Sequence, residues 1–109
     1  MKLLLALPAA LILAGCAETQ KTADAVARKG AKAAVEETLV RRFPQVPAAK
    51  VTPYSDCVID NASAGEILSL AGDAVSGTDA GTAELVIEIA TRPDTLKCLA
   101  GIGLPTLLL

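Results

Sequence analysis

Histidine and tryptophan are absent from this chain of 109 residues, and Phe43 and Tyr54 are its only aromatic side chains. Without histidine the commonest general base, the commonest metal ligand and the usual near-neutral proton switch are all missing. Three cysteines without a CxxC spacing, and no glycine-rich dinucleotide fingerprint, cannot assemble a haem, iron–sulfur or flavin centre. No P-loop and no GxSxG elbow occurs either. A formal charge of -2 is far from the strongly basic balance of a nucleic-acid binder. The residues therefore predict no catalytic group, no cofactor and no metal site, and the chain reads as a non-enzyme. Scarcity of aromatics has a structural consequence as well. Apolar residues make up 52% of the chain, but alanine dominates them and buries little area per residue. At this length there is room for one small domain, and a core that thin calls for a covalent staple.

The apolar residues are concentrated at the start. Met1-Lys2 is a short positive segment, and Leu3 to Leu13 is an apolar run interrupted by Pro8. A helix needs about 20 residues to span a bilayer, so this run has the length of a signal-peptide core instead. It ends in Leu13-Ala14-Gly15-Cys16, which resembles the lipobox of bacterial lipoproteins: an aliphatic residue and two small ones before a cysteine. The resemblance covers residues 1–16. It implies removal of residues 1–15, a thioether from Cys16 to diacylglycerol, and acylation by palmitate or a similar chain. A thiolate is the nucleophile that such alkylation needs, and two or three acyl chains make a stable membrane anchor where one is marginal. Ala17 follows where the family's inner-membrane retention signal is typically aspartate. The resemblance thus implies the cell envelope, on the periplasmic face of the outer membrane.

Charge is unevenly divided. Between Cys16 and Lys50 seven basic residues (Lys21, Arg28, Lys29, Lys32, Arg41, Arg42 and Lys50) face four acids; from Val51 onward eight acids face only Arg92 and Lys97. Basic residues held near an anionic bilayer each contribute roughly 1 kcal/mol of attraction, while the plainer reading makes them the wet face of a helix. That helix is predicted from Thr19 to Phe43, ended by Pro44. Its ridge Ala23, Ala27, Ala31, Val35, Leu39, Phe43 is widened by Val26, Gly30, Ala33, Ala34 and Val40. Two readings stay open for it: an alanine-rich tether, or a docking face whose Gly30–Ala34 pair admits another helix closely.

Three prolines between Pro44 and Pro53 predict an extended, semi-rigid connector. Beyond it the punctuation predicts short helices. Thr52-Pro53 opens one through about Asn61, and Ser63 with Glu66 has capping-box spacing. Gly72 and Gly77 are candidate stops, and Thr78 or Asp79 caps the helix that carries Leu85 to Ile89. Pro93 starts the last helix and Gly101 ends it. Leu85 to Ile89 is also compatible with a buried strand, but a lone strand would have no partner.

With Cys16 assigned to lipid, Cys57 and Cys98 remain, and an even pair in an exported domain reads as a disulfide. A reactive thiol pair or a metal site are the rival readings. The carboxylates Asp56 and Asp60, and Glu84 and Glu88, are spaced i, i+4; they suit either the wet face of a helix or a paired-acid site. The charge-free tail from Ile102 to Leu109 is expected to fold back onto the helices, with partner binding as the alternative. The expected protein is all-α: a signal peptide (1–15), a lipid-anchored amphipathic helical tether (16–43), a Pro-rich linker (44–53) and a small disulfide-stapled helical domain (54–109). Its expected partners are a membrane, through Cys16, and an unidentified envelope protein; the alternative function is a periplasmic module for a small ligand or cell-wall fragment.

Overall fold

A computed structural model describes residues 23–104. The signal segment, Cys16 and the tail from residue 105 lie outside the described residues. Within them the chain is all-α: α1 (residues 23–42), α2 (Ala48–Asp60), α3 (Ala64–Ser76), α4 (Ala80–Ala90) and α5 (Pro93–Gly101). Leu85 to Ile89, open to a strand reading, is helical.

Local chemistry explains most of the boundaries. Ser63 and Glu66 form a reciprocal capping box at the start of α3, and Asp79 and Thr82 form another at the start of α4. Gly77 ends α3 with φ 108°, a conformation that favours a residue without Cβ, whereas Gly72 lies within the helix. Pro93 is the first residue of α5, where its missing N–H costs nothing.

The second helix begins earlier than expected. The Pro-rich connector shrinks to residues 43–47, because α2 starts at Ala48 with Pro47 as its N-cap and carries Pro53 inside it. Thr52-Pro53 is therefore not the start of a helix, as the prolines alone suggested. Ala48, Ala49 and Lys50 are good helix formers, and the added turn brings Val51 against the core. Pro53 cannot donate to the carbonyl of Ala49. Ala49 is exposed, so water can serve that oxygen.

One core joins all five helices. Val35 and Leu39 of α1, Tyr54 and Val58 of α2, Leu70 of α3, Val86 and Ile89 of α4, and Leu99 of α5 are enclosed in a single cluster. The segment expected to be a tether is thus, over its described part, a core helix; the boundary expected at residue 54 does not divide the packing. Its apolar ridge is wide enough to need a partner, and the short connector returns the chain directly along it. Leu104 closes the far end of the cluster, where Lys50 Nζ donates to the carbonyl of Ile102 at 2.6 Å.

Two registers fix how α1 lies. It runs antiparallel to α2, with Arg28 paired to Asp60 at 2.9 Å, Lys32 to Asp56 at 2.7 Å, and Glu36 accepting from Thr52 at 3.1 Å. It runs parallel to α3: Ala27 and Arg28 share a cleft with Ile67 and Leu68, and one turn on Gly30 meets Ala71. A Cβ on Gly30 would stand 3.4 Å from that of Ala71, so the small-residue spacing is used within the molecule.

Candidate functional site

Cys57 and Cys98 are joined in a disulfide with Cα atoms 5.6 Å apart, linking α2 to α5. Cys57 is in the core and Cys98 packs against it. The bridge spans a sequence separation of 41 residues and so closes a loop that contains α3 and α4 entire. This rules out a free thiol pair or a two-cysteine metal site there. No group of three or more potential ligands that could hold a metal occurs among the described residues.

The i, i+4 acids do not make a paired-acid site. Asp56 and Asp60 each face a cation of α1, and the bond from Asp56 raises the pKa of Lys32. Glu88 approaches Arg92 at 3.7 Å, and Glu84 is exposed on α4. The same geometry redistributes the basic charge of the N-terminal half. Arg28 and Lys32 answer acids of α2, Arg41 pairs with Glu37 at 3.3 Å, and Lys50 serves a carbonyl. Much of the apparent basic stripe is therefore matched within the fold.

Arg92 holds a junction that the sequence reading did not single out. Its guanidinium donates to both carboxylate oxygens of Glu66, at 2.8 and 2.6 Å, and to the carbonyl of Asn61 at 3.0 Å. One side chain from the start of α5 thus secures the end of α2 and the start of α3. These bonds, with the backbone N–H of Ser63, hold the Glu66 carboxyl at about 2, far below the usual range. The available signal was that Arg92 is one of only two cations in an acidic half.

Two surface features remain as candidates for contact. The first is a cleft of about 340 Å³ lined by Asp24, Ala27, Arg28, Ala62, Ala64, Ile67 and Leu68. Tyr54 is not in it: its ring is in the core, its hydroxyl is enclosed without a hydrogen-bond partner among the described residues, and burial pushes its pKa up. The second is the outer surface of α1 and α3. Val26 is 66% exposed, Val40 65%, Leu68 64% and Val75 91%. The remaining outer positions of α3 are small and uncharged: Ala64, Gly65, Ser69, Gly72 and Ser76. No helix among the described residues is long and apolar enough to cross a membrane.

Comparison with protein families, with curated proteins and with solved structures finds no match.

Proposed function

We propose that this protein is a lipid-anchored envelope lipoprotein whose helical domain works by contact with another protein rather than by catalysis. The observation that carries the reading is the disulfide. It takes two of the three cysteines, leaving Cys16, directly after Leu13-Ala14-Gly15, as the cysteine for lipid. A disulfide that closes most of a small domain also suits an oxidising compartment outside the cytoplasm. The outer-membrane address rests on Ala17 by the same resemblance.

Contact is favoured over chemistry by what lies on the surface. Large aliphatic side chains exposed together are costly unless something covers them, and Val26, Val40, Leu68 and Val75 stand out on adjoining helices. Metabolic labelling with palmitate in a bacterial host tests the anchor. The wild-type chain is expected to take up label and Cys16→Ala to take up none, with uncleaved precursor accumulating. Processing of the variant at the same bond, with unchanged membrane fractionation, overturns the lipoprotein reading.

The cleft between α1 and α3 favours a second reading, a module for a small ligand or cell-wall fragment. Its floor is apolar, and Asp24 and Arg28 stand at it with opposite charge. Titration with soluble muropeptides separates the two readings: shifts confined to residues around Ile67 and Leu68 support the ligand module, and their absence removes it.

A further inference from the structure

The free surface of α1 has a symmetry of its own. Helical spacing assigns every other side of this helix to a neighbour. Arg28, Lys32 and Glu36 face α2, Ala27 and Gly30 face α3, and Ala31, Ala34, Val35 and Leu39 are in the core. On the side left between them stand the exposed Val26, Lys29, Ala33 and Val40 and the part-buried Glu37, flanked by the exposed Ala25 and Arg41. The five so flanked lie within about 40° of one another's mean direction at 100° per residue. They are also palindromic in chemistry about Ala33: a valine seven residues to either side, and opposite charges four residues to either side.

We propose that this face binds a second copy of the chain, with the two α1 helices antiparallel and crossing at Ala33. A two-fold axis through that crossing sets Val26 of one chain opposite Val40 of the other, and Lys29 opposite Glu37, each pairing occurring twice. The small side chain at the crossing lets the backbones approach closely. Charge complementarity selects this partner. Among the described residues Lys29 makes no ion pair, and Glu37 makes one, the exposed i, i+4 pair to Arg41 at 3.3 Å. A parallel pairing would instead stack Lys29 on Lys29 and Glu37 on Glu37. Val75 extends the face, since it follows Ala71 along α3 by one turn as Ala33 follows Gly30 along α1. The charge-free outer row of α3 adds no like-charge contact between copies.

This inference names the partner of the contact face proposed above and rests on that part of the reading, not on lipid at Cys16. Oxidative crosslinking of the full-length chain in intact cells tests it. Ala33→Cys is expected to give a species of twice the chain mass, with the peptide bearing A33C joined to itself by mass spectrometry; Asp94→Cys, exposed on α5, is expected to give none. In the A33C background, Lys29→Glu is expected to lower the crosslinked fraction about tenfold by setting like charges opposite each other. Adding Glu37→Lys to it is expected to restore the fraction. Equal crosslinking from both cysteine positions, or failure of the double exchange to restore it, overturns the two-fold pairing. Crosslinking of A33C to a different protein overturns it while leaving the contact reading standing; circular dichroism of each variant separates lost pairing from lost folding.

Discussion

Glu66 carries two duties within a few ångströms. Its carboxylate accepts from the backbone N–H of Ser63 at 2.8 Å, which completes the capping box of α3, and it receives both arms of Arg92. The Arg92 bonds are the chief cause of its low pKa, which stands at about 2 against an ordinary 4.5. A carboxyl depressed by folding contributes stability that is complete above its unfolded value and is lost as pH falls through the folded one. Glu66→Gln is therefore expected to melt below the wild type at pH 7. Glutamine keeps the capping acceptor at this position, so what is lost is the charge on the pair with Arg92, about 1 kcal/mol for a partly exposed ion pair, or roughly 4–8 °C in a domain of this size. The difference should narrow between pH 4.5 and pH 2, where the wild-type carboxyl itself becomes protonated. Thermal denaturation at several pH values checks both parts; a gap that stays constant down to pH 2 removes the charge-based account.

Between the helices α1 and α3 the backbones come close at Gly30 and Ala71. Alanine at position 30 would make ordinary contact there, and helix propensity favours it over glycine. Leucine cannot be accommodated without moving the two axes apart, and such overpacking typically costs 1–3 kcal/mol. Gly30→Ala is accordingly expected to melt at or above the wild-type temperature and Gly30→Leu several degrees below it, by circular dichroism. Equal melting of the two variants would mean that α1 is a loosely attached tether after all. The prolines teach the opposite lesson. Pro53 has the sequence mark of a helix start, yet it lies inside α2, because the contacts made by Val51 and the good formers before it outweigh one forfeited backbone bond.

Over the whole molecule the disulfide is the main constraint on the unfolded chain. A bridge across 41 residues contributes roughly 4 kcal/mol in the chain-entropy account, comparable with the total stability of a marginal domain. Reduction, or replacement of Cys57 and Cys98 together by alanine, is expected to lower the urea midpoint by more than half. Chemical denaturation with and without reductant measures this. A small shift would show that the alanine-rich core is sufficient alone.

Helix type, the capping box of α3, a cap for α4 at Thr78 or Asp79, the start of α5 and the pairing of Cys57 with Cys98 were legible without coordinates, because each depends on a few adjacent residues or on simple counting. Capping chemistry acts over three residues, and two cysteines in an oxidising setting have one intramolecular pairing. The extent of α2, the junction at Arg92 and the neutralisation of Arg28 and Lys32 were not legible. Each depends on which helix faces which, and that follows from packing between residues 24 to 32 positions apart. The same holds for the outward face of α1. Ala23 through Phe43 offered apolar residues on nearly all sides, and α2 and α3 had to cover two of them before Val26, Ala33 and Val40 emerged as the face left to solvent.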